Sequence, residues 1–330
     1  MKNKKISGRR TVLVTGGAGF IGSVCVETLL NRKFKVVVVD NLATGEKEAV
    51  EKRATFIKGD IGNKGFMKKL FTKYRFEAVI HFAAETLVDN ATAHPDWYYT
   101  NNLQKAIVLM EAIRNSSCRK IIFSSSAAVY GSPDKFPITE ESETRPLNAY
   151  GFTKLVFERI LADYSKAFGI KYIAFRYFNP AGATKNHGEM HNPETHLIPL
   201  LLKVVGGERE KILIFGDDYS TKDGTCIRDY LHVVDVAEAH VLALEDVNIH
   251  PNTIYNLSSQ KGFSVKEIIR VVEKVSGKKI KTEISPRRLG DPERLVASAK
   301  KARRQLKWNP KFSDLETIVR TAWNFYKKMQ

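Results

Sequence analysis

Cysteine is scarce in this chain: Cys25, Cys118 and Cys226 are the only three among 330 residues. An odd, scattered set excludes a disulfide framework and fits a reducing compartment. Long apolar runs are also missing. The run at residues 36–39 is strand-length, far short of the roughly 18 residues a membrane helix needs, so no membrane partner is expected. Residues 1–10 are basic but no apolar stretch follows them, which argues against a secretory signal and for a cytoplasmic location. Acidic residues are few beside basic ones, 36 Asp and Glu against 53 Lys and Arg, for a formal net charge of +17. The basic residues are spread along the whole chain and form no stripe interleaved with aromatics. Nucleic acid is therefore not an expected partner, and the surplus suits ligands that carry phosphates.

What is present is an alternation. Residues 11–15, 34–40, 54–58, 78–82, 120–124 and 172–177 are short β-branched runs. Between them lie helical patterns at 21–31, 64–74, 97–115 and 149–168. Near-continuous apolar strands alternating with helices predict a parallel sheet covered on both faces. After residue 179 the pattern changes. Residues 180–193 are rich in Gly, Asn, His and Pro and read as a loop. A helix at 197–205, a strand at 212–215, a turn-rich stretch at 216–224 and helices at 233–244, 265–276, 300–306 and 315–327 follow. No repeat or low-complexity linker separates the halves. The expected organisation is an α/β fold, with a doubly wound parallel sheet in residues 1–180 and a smaller mixed α/β unit in 181–330. Some elements of the second unit are expected to return to the first sheet.

Gly16, Gly19 and Gly22 stand between the first strand and the first helix. Glycine there allows a tight turn, close approach of backbone to a pyrophosphate, and close packing of helix on strand. The pyrophosphate would meet the N–H groups of the helix N-terminus. Asp40 closes the next strand 18 residues beyond Gly22, where a carboxylate accepts from both ribose hydroxyls and repels a 2′-phosphate. NAD is therefore the expected cofactor, and not NADP. Asp60 follows the third strand and can accept from the adenine amino group, or cap the next helix. Ala83 and Ala84 end the fourth strand at the sheet edge where such folds bind ligands, and leave room for a ribose. His81 beside them reads as a packed core residue.

Tyr150 and Lys154 are four residues apart and share one helix face. Lowering a phenol from about 10 to about 7 takes roughly 4 kcal/mol. An ammonium about 5 Å away, at an effective dielectric near 20, supplies roughly 3 kcal/mol, and the positive ring of an oxidised nicotinamide can add the rest. Ser126 closes the run Ser124-Ser125-Ser126 after the fifth strand, where its hydroxyl can relay a proton or hold a substrate oxygen. Tyr150, Lys154 and Ser126 are thus the candidate catalytic residues, for redox chemistry at a carbon bearing a hydroxyl.

In this order, these residues resemble the extended short-chain dehydrogenase/reductase family. Four later stretches narrow the likeness to its members that act on sugar nucleotides, and extend it over essentially the whole chain: residues 175–183, 216–219, 223–232 and 286–291. The resemblance implies that Phe20, Ile21, Asp40, Asn41, Asp60, Ile61, Phe82, Ala83, Ala84, Thr86, Asn101, Ser126, Tyr150, Lys154 and Phe178 line an NAD site. It implies that Asn179, His196, Leu197, Leu213, Ile214, Phe215, Arg228 and residues 288–291, Arg288 and Asp291 included, hold a UDP-hexose. Guanidinium forks at Arg228 and Arg288 suit a diphosphate. The activity implied belongs to galactose metabolism: the sugar C4 is oxidised to a 4-keto intermediate, the sugar turns while UDP stays anchored, and reduction from the other face interconverts UDP-glucose and UDP-galactose. A homodimer through the helices at 97–115 and 149–168 is also implied.

Two positions qualify the resemblance. Thr86 stands where many relatives carry lysine. Leu295 matches a site where a large residue restricts the sugar pocket and a small one admits N-acetyl sugars, so N-acetylated UDP-sugars are an alternative substrate. A nucleotide-sugar dehydratase or decarboxylase would want a carboxylate after the serine run, where Ala127 and Ala128 stand. An NAD-binding regulator of nucleic acid would have no need of the Tyr/Lys pair. His187, Glu189, His191, Glu194 and His196 invite a metal reading. Gly188 and Pro193 argue against a helix that would align them, and the loop is read as a polar one on the substrate side, with no metal.

Overall fold

The structure, a computed structural model, describes residues 10–87, 91–191, 193–288 and 291–330. The six apolar runs of the first half form β1 (Thr11–Thr15), β2 (Lys35–Asp40), β3 (Thr55–Lys58), β4 (Ala78–His81), β5 (Lys120–Ser124) and β6 (Lys171–Tyr177). Between them come α1 (Phe20–Asn31), α2 (Lys64–Lys73), α3 (Pro95–Tyr99), α4 (Lys105–Arg114) and α5 (Ala149–Phe168). The second half contains β7 (Asn179–Ala181), α6 (Leu197–Gly206), β8 (Ile212–Phe215), β9 (Ile227–His232), α7 (Val233–Asp246), β10 (Thr253–Leu257) and β11 (Gly262–Ser264). It ends with α8 (Val265–Ser276), β12 (Thr282–Ser285), β13 (Arg294–Leu295) and α9 (Leu315–Met329).

A seven-stranded parallel sheet runs in the order β10-β6-β5-β4-β1-β2-β3. Side chains alternate between its faces and helices cover both, which is why its inner strands are largely apolar. Val12 and Val14 pack under α1 and α7 on one face. Leu13, Val37 and Val39 pack under α2, α4 and α5 on the other. β10 and α7 thus come from late in the chain and still belong to this sheet and its cover. The strand order reverses between β1 and β4, where β1 leads into α1 on one face and β4 toward α4 on the other. Their carboxyl ends part there and leave a crevice, the ligand position of this kind of sheet.

The rest of the second half forms a β8–β12 pair under α6, α8 and α9, and a small sheet in which β9 pairs with β7, β11 and β13. Helix α8 carries a capping box, with Ser264 accepting from the Glu267 backbone and Glu267 from that of Ser264.

Two helices differ from the sequence reading. The helix expected at 97–115 begins at Pro95, whose fixed φ suits a first turn, and widens into a π turn over Thr100–Gln104 before continuing as α4. Such bulges cluster at functional sites, and Asn101 in this one lines the crevice. The expected helix at 300–306 likewise becomes a π turn over Ala302–Leu306. Strands β7 and β9 to β13 were not anticipated. They are short, or place polar residues such as Asp229, His232 and Asn256 in buried positions.

Candidate active site

One cavity of about 1510 Å³ occupies the crevice and extends from the ends of β1 and β2 to β8 and β9. A single ligand typically fills roughly 300–1,000 Å³, so there is room for two. Of the site residues expected from the sequence, all but Lys154 and Ile214 line it. Leu289 and Gly290 lie outside the described residues. Ile214 is turned away by strand alternation: Leu213 and Phe215 face the cavity, and Ile214 packs into the core under α6 and α8. Its assignment to a sugar-nucleotide contact is corrected accordingly.

At one end the chain turns from β1 into α1. A Cβ on Gly22 would lie 2.1 Å from the Gly16 carbonyl oxygen, so no larger residue allows α1 to close on the turn. The first turn of α1 has no side-chain cap and no acidic residue. Its N–H groups and partial positive charge are left for an anion. Asp40 sits at the end of β2. Its two oxygens accept from the Ala18 N–H at 3.0 Å and the Leu42 N–H at 2.9 Å, which fixes the carboxylate against the turn.

Asp60 is held in the same way. It accepts from the Gly62 N–H at 2.7 Å and from Lys105, whose Nζ is 2.6 Å away. Burial pushes its carboxyl up, but Lys105, Gly62 and Asn41 outweigh burial and hold it below the usual range. Lys105 lines the cavity and was missed in the sequence, since its approach depends on the π turn. Asn102, also missed, joins Glu85 to Thr153 of α5 through its side-chain amide. Thr86 lines the wall without adding a cation. His81 is buried, hydrogen-bonded to Thr15 at 2.7 Å and lowered to about 3 chiefly by burial, so it is a neutral core residue.

At the centre, Asn148 caps α5 and presents Tyr150 in its first turn. Ser126 opens a 3₁₀ turn after β5 and accepts from the Ala128 N–H at 3.1 Å. A Cβ on Gly151 would lie 2.6 Å from the Ala128 carbonyl, so glycine after Tyr150 lets α5 press against the serine loop. Ser126 and Tyr150 thereby share one wall. Lys154 lies behind that wall. It is 3% exposed, donates to the Ser124 carbonyl at 2.8 Å, and its Nζ is 5.7 Å from the Tyr150 ring centroid.

The electrostatics depart from the sequence estimate. Burial raises the Tyr150 phenol above its usual value, and the Ser126 hydroxyl opposes it. Burial also lowers Lys154 to about 7, with Glu158 opposing. An acidified phenol was expected; without ligands, desolvation wins at both groups. Beneath them lies a buried ion pair that the sequence reading did not find. Glu158 takes both a 2.9 Å and a 2.6 Å bond from Arg176 and a 2.5 Å bond from Ser125. It ties α5, β6 and the serine loop together. A Glu four residues beyond the lysine, on the same helix face, was its only sequence signal.

At the far end, Arg228 pairs with Asp291, Arg288 lies 4.0 Å from the Phe215 ring centroid, and Asn179 donates to the Asp229 carbonyl at 2.8 Å. His196 Nδ1 is 2.8 Å from Glu194, ahead of Leu197 and α6. Leu295 packs with Phe178, Val129 and Ala297 at the cavity edge.

Comparison with known proteins agrees with this geometry. A profile of the NAD dependent epimerase/dehydratase family matches residues 12–258. The UDP-glucose 4-epimerase of Halalkalibacterium halodurans is 47% identical over 320 residues, 96% of each chain. A crystal structure of a UDP-glucose 4-epimerase superimposes with a TM-score of 0.94 at 49% identity, over 97% of this chain and 98% of that one. That of Bifidobacterium longum UDP-glucose 4-epimerase in complex with NAD+ and UDP gives 0.92 at 38% identity, over 96% and 98%.

Proposed function

The chain belongs to the NAD dependent epimerase/dehydratase family, and from that membership we propose that it is an isomerase that interconverts UDP-glucose and UDP-galactose. The reading divides the work near residue 180, with residues 1–180 holding NAD and 181–330 the UDP-hexose. The observation that carries it is that Tyr150 and Ser126 stand on the wall of one cavity, between a glycine turn and a pair of arginines.

The residues present fit NAD. The open N-terminus of α1 suits its pyrophosphate, the anchored Asp40 carboxylate suits unphosphorylated ribose hydroxyls, and Asp60 suits the adenine amino group. Lys154, Asn101 and Phe178 complete the cofactor end. When bound, NAD supplies the acceptor and later the donor of the C4 hydride. Tyr150 takes the proton of the 4-hydroxyl and returns it, and Ser126 holds the same oxygen. Arg228, Arg288 and Asn179 anchor the UDP while the 4-keto sugar turns, with His196, Leu197, Leu213 and Phe215 around it. The turn presents the opposite face of C4 and inverts the centre. Ala127 and Ala128 after the serine run offer no acid to expel water, which disfavours dehydration.

Trp97, 54% exposed, Tyr99, Ile107 and Phe152 are exposed apolar side chains on α3, α4 and α5, with Tyr99 edge-on to Phe152, and they support a homodimer. All three cysteines are buried and free, as in a cytoplasmic protein. Among the described residues no helix is long and apolar enough to cross a membrane.

The test is incubation of the purified protein with UDP-galactose or UDP-N-acetylgalactosamine, without added NAD, with products followed by NMR. Conversion of UDP-galactose to UDP-glucose is expected. Conversion of the N-acetylated sugar as well would show that Leu295 admits it. No conversion of either sugar by NAD-loaded protein would reject the reading.

A further inference from the structure

We propose a divalent-cation site, separate from the nucleotide cavity, formed by Glu27, Glu51 and His187. The three come from distant parts of the chain: α1, the segment between β2 and β3, and the loop after β7. Their ligand atoms lie within 4.8 Å of one another. His187 is 5% exposed, and neither of its ring nitrogens has a hydrogen-bond partner among the described residues. Burying an imidazole with both nitrogens unpaired is costly, and an unmodified pair of this kind calls for a bound ion or water.

The geometry favours an ion. His187 Nε2 faces Glu51 Oε2 at 3.7 Å. That is too long for a hydrogen bond. It is close to the ~3.4 Å that separates two ligands each about 2.0–2.1 Å from a tetrahedral metal. Arg53 donates to the other oxygen, Glu51 Oε1, at 2.9 Å and leaves Oε2 free. Asn186, the neighbour of His187, donates to Glu27 Oε1 at 3.1 Å and holds α1 against the loop. One imidazole and two carboxylates offer a nitrogen and two oxygens with a charge of −2. That set suits Zn²⁺ or Mn²⁺ and leaves a position for water.

The loop that carries His187 also carries Glu189, His191 and His196 onto the cavity wall. A cation bridging His187 to Glu27 and Glu51 pins that loop to α1, the helix whose N-terminus faces the cavity. This consequence rests on the function proposed above, but the binding itself does not.

The experiment uses the full chain with NAD bound, stripped with a chelator and dialysed. Zn²⁺ and Mn²⁺ are titrated calorimetrically, and thermal unfolding is followed with and without each metal. Wild type should bind one equivalent and unfold several degrees higher with metal. His187→Asn and Glu27→Gln should each weaken binding at least tenfold and remove the thermal shift. Glu27→Gln lies on a helix surface and serves if His187→Asn fails to fold. His191→Asn, a change in the second His/Glu group of the same loop, should leave binding intact. Absence of binding up to millimolar metal would overturn the site. So would binding that survives both His187→Asn and Glu27→Gln, or binding abolished by His191→Asn.

Discussion

The two ends of the cavity are built on different principles. At the cofactor end, backbone does most of the positioning: Asp40 is clamped by the N–H groups of Ala18 and Leu42, Asp60 by that of Gly62 together with the Lys105 ammonium, and α1 is seated by contact with a carbonyl. At the far end, side chains hold one another: Arg228 with Asp291, His196 with Glu194, Arg288 over Phe215. Backbone clamps do not exchange partners, whereas ion pairs between side chains can open when a better anion arrives. Under the function proposed above, this contrast suits a cofactor that stays and a nucleotide that comes and goes. Tyr150 and Ser126 lie where the two ends meet.

The largest effect should come at that meeting point. Tyr150→Phe removes the proposed proton acceptor, and general base catalysis contributes roughly 10²–10⁴-fold. Turnover should fall by about that factor while NAD, measured by absorbance after denaturation, remains at the wild-type amount. A variant that lost NAD along with activity would show the ends to be less separable than the structure implies. Next is Asp40→Ala. A hydrogen bond to a charged group contributes roughly 1.5–3 kcal/mol, so NAD should dissociate about ten- to a hundredfold more readily with the KM for UDP-galactose little changed. Arg228→Ala is the mirror experiment. Loss of one charged contact to the diphosphate should raise KM about tenfold and leave NAD content unaltered, as steady-state kinetics on the as-purified protein would measure. If Arg228→Ala released NAD, or Asp40→Ala raised KM alone, the division would fail.

The same contrast explains what could be read in the sequence. Strands β1, β2, β4, β5 and β6 are largely buried on both faces, so each is an apolar run; the edge strand β3 is only half-buried, and the bounds of all six were legible to within a residue. Gly16, Gly22 and Asp40 act through backbone geometry at fixed spacing from those strands, which made them readable too. Strand β9, with the sequence Ile-Arg-Asp-Tyr-Leu-His, has no such signature because its buried Asp229 is stabilised by Ser258 and Ser259, about 30 residues later. Arg228, Arg288 and His196 were reached through resemblance alone. Ile214 was placed wrongly since three consecutive strand residues cannot all face one cavity. Lys105 and Glu158 were missed because a π turn and a buried ion pair depend on tertiary contacts, and the i+4 spacing of Glu158 from Lys154 was too weak a signal alone.

The smallest effect sharpens the electrostatics at the centre. Lys154 donates to the Ser124 carbonyl, yet burial lowers its ammonium to about 7, against about 10.4 in an unfolded chain. The folded protein therefore binds this proton less tightly than the unfolded one. The lysine's contribution to stability is most favourable above about pH 10.4, erodes as pH falls, and levels off below about 7. Lys154→Met removes the titration. In cofactor-free protein, the Tm of the variant minus that of wild type should move in the variant's favour by a few degrees between pH 10 and pH 7, then stay constant to pH 6. A difference that is flat across this range would mean that the ammonium keeps its solvation or finds a counter-charge in solution. Tyr150 would then face a full positive charge before any ligand binds, and the acidified phenol expected from the Tyr/Lys spacing would be restored.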